Sequence, residues 1–246
     1  MRIGLITDLH FRDAVPGTSA IARRECRRVG EVLVAALAAL RAAGADLVLC
    51  AGDCVDTETD PRVPEDLDAL RRLLDASGLP YVAVPGNHDP PPEAFYHHLP
   101  RPPRRARYGD VELLTFGDDP FDRQSQLATR PEADLAWMRQ TLTAPAPGVA
   151  LTVVLQHCTL YPEHTGPGYR HTYANDAAIR AALREASRPV LAVSGHNHRG
   201  SPLAAVDGVR YLTARALCEH PYPYALLHTA GGRVRVEERA VAGAAT

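Results

Sequence analysis

Short apolar runs alternate with stretches of helical periodicity through most of this chain. Residues 2–7 read as a strand. Val29, Val32, Leu33, Ala36, Leu37 and Leu40 then recur at helical spacing, which predicts a helix starting near Thr18 or Ser19 and stopped by Gly44. Residues 46–50 predict a second strand, 64–77 a second helix ended by Gly78, and 81–84 a third strand. Such alternation is the mark of βαβ units and a largely parallel sheet. The prolines at 90–92 and the Pro/Arg segment 100–107 predict a loop around a short helix over 93–98. Strands follow at Val111–Phe116, Leu151–Gln156 and 190–193, with helices over 132–142 and 174–186, the second capped by Asn175. Beyond Gly195 the pattern turns to hairpins: 203–206 with Val209–Thr213 around Asp207-Gly208, and 224–228 with 233–237 around Gly231-Gly232. No repeat or linker divides the chain, so one mixed-sheet α/β domain over 1–246 is expected.

Composition narrows the function classes. The 246 residues are 46% hydrophobic and 23% charged, which excludes a disordered or fibrous chain. All 27 basic residues are arginine, and 29 acidic residues bring the net charge to -2, which argues against a nucleic-acid clamp held by bulk charge. Five cysteines at irregular spacing are no disulfide framework and suit a reducing compartment. The start of the chain lacks the pattern of a secretory signal. Its most apolar stretch, 29–43, contains Glu31 and Arg41 and is too short to span a bilayer, so a cytoplasmic protein with no membrane partner is expected. The 11 histidines are numerous beside four Phe and one Trp.

Five of these histidines fall in one recurring layout, in which an apolar strand ends and His, Asp or Asn follow at once. The segments are Asp8-Leu9-His10, Gly52-Asp53, Gly86-Asn87-His88-Asp89, Gln156-His157 and Gly195-His196-Asn197-His198. In open α/β sheets ligands sit beyond the carboxyl ends of the strands, so five such ends can share one crevice. Residues two apart on an extended segment point the same way, so Asp8 with His10, and His196 with His198, can each grip one centre. Imidazole nitrogens with carboxylate and amide oxygens, and no thiolate, suit Mn, Fe or Zn.

This ordered set, with Asp56 completing Gly52-Asp53-x-x-Asp56, resembles the calcineurin-like metallophosphoesterase superfamily over residues 8–198. The resemblance implies an α-β-β-α four-layer sandwich of two mixed sheets, with a two-metal site at strand C-terminal ends. It implies that Asp8, His10 and His198 hold one divalent ion, that Asn87, His157 and His196 hold the other, and that Asp53 bridges them. The implied reaction is in-line attack on phosphorus by a hydroxide shared between the metals. His88 would serve the departing oxygen, Asp89 would orient the His88 ring, and Asp56 would support a ligand histidine from outside. The implied partner is a small-molecule phosphodiester, pyrophosphate conjugate or phosphomonoester. The rival from another class is a non-catalytic phosphate-binding or scaffold protein that keeps the fold, and it predicts lost ligands.

One departure stands out: many members carry a second His after the fourth motif's ligand, where this chain has Cys158. Cys50 and Cys54 flank Asp53 but read as small buried hydrophobes. Substrate contacts are assigned to Arg199, by position, and to His164 and His171, in a segment that follows His157 directly. The arginines at 101, 104, 105 and 107 read as a solvated loop rather than an anion site.

Overall fold

The computed structural model describes residues 1–162, 165–166 and 169–241, with backbone alone at 165–166 and 169–170. The elements run β1 (Arg2–Ile6), α1 (Val29–Ala42), β2 (Leu47–Cys50), α2 (Val63–Ala76), β3 (Tyr81–Ala83), α3 (Pro92–His98), β4 (Arg105–Tyr108) and β5 (Val111–Phe116). They continue with β6 (Phe121–Asp122), β7 (Leu127–Ala128), α4 (Glu132–Thr143), β8 (Leu151–Gln156), β9 (Thr165–Gly166), β10 (Tyr169–Arg170) and α5 (Asp176–Arg184). The last five are β11 (Val190–Ser194), β12 (Ser201–Val206), β13 (Val209–Thr213), β14 (Pro223–Ala230) and β15 (Arg233–Ala240).

Two sheets carry the fold. One has the order β15-β14-β1-β2-β3 and the other β12-β13-β11-β8-β5-β4. Strands β1, β2 and β3 are parallel to one another, as are β5, β8, β11 and β13. Antiparallel strands complete the edges: β14 and β15 on one sheet, β12 and β4 on the other.

The four layers follow from residue alternation along the strands. Leu47 and Leu49 of β2 point into the core between the sheets with Val153 and Leu155 of β8. Val48 and Cys50 face the opposite way, onto Leu33 and Leu37 of α1 and Leu67 and Leu70 of α2. Val154 of β8 points outward in turn, onto Met138 and Leu142 of α4 and Ile179 of α5. The central strands β2, β8 and β11 are thus buried on both faces, which is why their sequences read as mostly apolar runs.

Two expected elements differ. Residues 18–28 do not extend α1 but form bends and turns. Side-chain hydrogen bonds hold that loop instead, with Arg27 donating to the carbonyls of Asp13, Val15 and Gly17. Residues 105–108, expected to be loop, pair with β5 as an edge strand. Their alternating exposure leaves the arginines on the solvent side, so the hydrophobic signal of a strand is absent. Asn175 precedes α5 as expected, but its side chain bonds Arg130 rather than capping the helix.

Candidate metal centre

The C-terminal ends of β1, β2 and β3 in one sheet and of β8 and β11 in the other meet at one rim. There Asp8, His10, Asp53 and His198 bring one ligand atom each within 4.8 Å of one another, as do Asp53, His157 and His196. All six side chains are buried, and Asp53 belongs to both groups. Asn87 joins the second through its Oδ1, 3.1 Å from His157 Nε2.

The backbone reaches this arrangement by kinks, not by extended spacing. Asp8, His10, Asp53 and His196 adopt φ of 50°, 46°, 50° and 67°. Positive φ is costly for residues with a Cβ and is sustained only where the surroundings impose it. Here parallel segments impose it: Asp8, His10 and Phe11 donate their backbone N–H to the carbonyls of Gly52, Asp53 and Cys54. Two glycines clear the remaining space. A Cβ at Gly86 would collide with Asp53 Oδ1, and one at Gly195 would collide with Thr7 Oγ1 and stand 2.6 Å from Asp8 Oδ2. Gly195→Ala is therefore expected to cost about 1–3 kcal/mol of stability through overpacking and to lower metal content, read by thermal unfolding and elemental analysis. Unchanged metal stoichiometry would show that Asp8 tolerates displacement.

Outer partners fix which nitrogen of two imidazoles, those of His157 and His198, faces the centre. His157 Nδ1–H donates to the Ala51 carbonyl at 2.7 Å, and His198 Nδ1 meets Glu219 Oε1 at 2.5 Å. That leaves the Nε2 atoms of His157 and His198 inward, whereas His196 turns Nδ1 to the centre. His10 Nε2 and His198 Nε2 lie 3.1 Å apart, as do His196 Nδ1 and His157 Nε2. Two lone pairs at that separation repel unless a cation or proton lies between them, so the donor set fits a metal. Asp8 is held by the Thr7 hydroxyl at 2.7 Å and the His196 N–H.

Electrostatics mark the same place. Burial would raise the Asp53 carboxyl, but His157, His88 and His10 outweigh it and hold it well below the usual carboxylate range. Burial would lower His157, yet Asp53 and Asp8 push it up to about 10. Burial lowers His10 and His196 well below an ordinary imidazole. A cluster that draws positive charge while keeping two histidines neutral is suited to a cation.

The other expected residues divide. His88 adjoins the centre, its ring 4.7 Å from that of His10. Its N–H donates to Asp53 Oδ1, and its Nδ1–H donates to the Asp56 carbonyl at 2.9 Å. Asp89 does not orient it, which corrects the expectation. The Asp89 carboxylate instead accepts the backbone N–H groups of Gly86, Cys54 and Val55 at 2.8, 3.0 and 2.9 Å, stapling two ligand loops together. Burial and the charge of Asp53 push it up to about 7 against those three donors. Asp56 stands behind His10, with Oδ1 3.6 Å from Nδ1.

His171 packs its ring on His196 at 4.6 Å, while Arg199 is exposed on the turn after His198. His164 lies outside the described residues. Arg101, Arg104 and Arg105 are committed to Asp118, Asp134 and Glu112. Cys158 packs in the core under α4 and α5. Sequence reasoning missed Cys218, which lies with His10 and His198, and Glu219. Both follow a strand in the last fifth of the chain with no motif to mark them.

A cavity of about 680 Å³ opens beside Asn87 and His157, lined by Phe116, Phe121, Tyr173 and several prolines. Among the described residues no helix is long and apolar enough to cross a membrane.

Residues 1–200 match the family model for calcineurin-like phosphoesterases. A search of curated proteins finds no match. Among solved structures, a dimetal phosphatase from Danio rerio superposes with a TM-score of 0.78 at 16% identity, covering 97% of this chain and 96% of its own. A purple acid phosphatase from yellow lupin (Lupinus luteus) seeds gives 0.66 at 12%, over 98% of this chain and 52% of its own. The anchor in the inner membrane complex of Plasmodium gives 0.61 at 11%, over 99% and 85%. At these identities the three share the fold.

Proposed function

Because this chain belongs to the calcineurin-like phosphoesterase family and is thus a metal-dependent hydrolase of phosphate esters, we propose a residue-level reading of its centre. Asp8, His10 and His198 hold one divalent ion, Asn87, His157 and His196 hold the second, and Asp53 serves both. The observation that carries this reading is the pair of buried donor groups sharing one carboxylate. Nitrogen and oxygen donors make Mn, Fe or Zn the fitting ions. Such ions, when bound, supply Lewis acidity that activates a water and offsets charge on the phosphoryl oxygens.

The chain's own residues do the rest. Thr7 and the His196 N–H fix the Asp8 carboxylate, and Ala51 and Glu219 fix the ring planes of His157 and His198. His88, tethered through Nδ1 to Asp56, keeps Nε2 for the departing oxygen. His88→Ala is expected to lower kcat by about 10²–10⁴-fold with metal content unchanged. Loss of metal in that variant would move His88 among the ligands.

The substrate proposed is a small phosphate ester whose organic part fits the cavity beside His157. Of its acids, Asp118, Asp119 and Glu58 are paired with Arg101, Arg130 and Arg123 and Asp89 is taken up by backbone N–H groups, so beside Glu93 the wall is one of aromatic rings and prolines. A scaffold protein of this fold would be free to lose ligands, whereas every ligand position is filled. The test strips metal, restores Mn, and assays chromogenic mono- and diesters, cyclic nucleotides and nucleotide-diphosphate conjugates. Metal-dependent turnover of one class is expected. No turnover on any of them at full metal loading would overturn the catalytic reading.

A further inference from the structure

The loop at 18–28 is fastened to the far end of the chain. Glu25 N–H donates to the Cys218 carbonyl at 2.9 Å, Arg23 Nε donates to Glu219 Oε1 at 2.9 Å, and Arg28 Nη1 reaches the Tyr222 hydroxyl at 2.7 Å. Glu219 is the carboxylate that holds His198. The loop is thereby tied to the framework of the metal centre. Arg24, at its middle, is carried onto His88, with Nη1 3.5 Å from Nε2.

Two arginines meet one carboxylate here. Arg12 Nη2 takes Asp56 Oδ2 at 2.6 Å, while Arg24 Nη1 stays 3.9 Å from the other oxygen, beyond hydrogen-bond reach. The Arg24 side chain is only 12% exposed, and its Nε is buried with no hydrogen-bond partner. A guanidinium carries five N–H donors in a rigid fork, and holding one largely buried with its Nε unused and its carboxylate neighbour taken by Arg12 is costly unless a further anionic oxygen meets it. Other arginines nearby are committed: Arg123 to Glu58 and the Asn87 carbonyl, and Arg130 to Asp119.

We infer that Arg24 grips a second phosphate of the substrate, on the leaving side beside His88, so that the enzyme's preferred bond is a phosphoanhydride between two tandem phosphates. The inference rests on the phosphoesterase reading of this centre. In the step, the water oxygen bonds one phosphorus and keeps one proton. The bond from that phosphorus to the bridging oxygen breaks, and its electron pair leaves on that oxygen. The water's other proton passes to the departing oxygen or to solvent. The leaving group is then itself a phosphate, with several anionic oxygens for the planar fork to engage. A departing alcohol offers one oxygen and uses the fork poorly.

The test uses the full chain loaded with Mn. Imidodiphosphate, whose P–N–P bridge replaces the scissile oxygen, and orthophosphate are titrated calorimetrically into the wild type, Arg24→Gln and Arg24→Lys. The wild type is expected to bind imidodiphosphate more tightly than orthophosphate by about tenfold or more, the scale of one charge-assisted contact. Arg24→Gln should lose that margin, and Arg24→Lys should recover part of it. In turnover, Arg24→Gln should reduce kcat/KM for a nucleotide-diphosphate conjugate about tenfold more than for a chromogenic diester. Equal losses for both probes, or no loss, in a variant that melts like the wild type would overturn the inference. A wild type that turns over only esters with alcohol leaving groups would overturn it too. Absence of all turnover would instead strike the phosphoesterase reading.

Discussion

Asp53→Asn is expected to reduce kcat/KM at least about a thousandfold, equivalent to roughly 4 kcal/mol of lost transition-state stabilisation, and to lower metal content from two ions per chain to one or none. Its two carboxylate oxygens face different neighbours. Oδ1 lies 3.3 Å from His157 Nε2 and accepts the His88 N–H, while Oδ2 lies 3.6 Å from His10 Nε2. An amide of the same shape keeps one acceptor, puts a donor in place of the other, and removes the negative charge. It cannot serve two cations at once. The fold should survive, because the change removes a buried charge instead of stranding one. Steady-state kinetics and elemental analysis on the same preparation check both halves. A variant that retains two ions would refute the shared role of Asp53.

Asp119→Ala is expected to produce the largest loss of stability outside the centre, about 3–5 kcal/mol, the usual result of stranding a buried charge. For a chain of this size that is roughly 6–20 °C in Tm. Arg130 is fully buried, with Nη2 2.8 Å from Asp119 Oδ2 and 3.0 Å from Gln156 Oε1. Its Cζ lies 3.6 Å over the Phe116 ring, and Tyr173 donates its hydroxyl to the same Asp119 oxygen. Gln156 closes the network by donating to the Cys158 carbonyl, so the group braces the chain on either side of His157. Replacing both partners, as Asp119→Ala with Arg130→Met, should recover much of the loss, since no charge is then left buried alone. Calorimetric unfolding of the single and double variants decides it. A double variant no better than the single one would mean the network matters through its shape.

The strands and most helices were legible because burial on both faces of a central strand favours a mostly apolar run, as in Leu151–Gln156 around Val153, Val154 and Leu155, and helix faces require the spacing seen from Val29 to Leu40. The ligand segments were legible because each follows such a run directly. The loop at 18–28 was not, since arginine-to-carbonyl bonds shape it and those leave no periodic trace. The role of Asp89 was misread because neighbours in sequence need not face each other: His88 turns to the Asp56 carbonyl while Asp89 turns to three amides. Arg24 and Glu219 were invisible for a related reason. Their chemistry arises only when the two ends of the chain lie side by side, a long-range contact that no local pattern encodes.

The donors are split between the sheets: Asp8, His10, Asp53 and Asn87 come from the ends of β1, β2 and β3, and His157, His196 and His198 from the ends of β8 and β11. Elsewhere these sheets meet mainly through apolar side chains, whose attraction is non-directional, with Arg210 of β13 donating to the Gly232 carbonyl of the β14–β15 turn. Any ion coordinated by both sets acts as a rivet through that seam, fixing register where hydrophobic contact alone leaves it soft. The catalytic rim is then also the fastening of the sandwich, and tuning the metal ligands for turnover tunes the rigidity of the whole molecule with them.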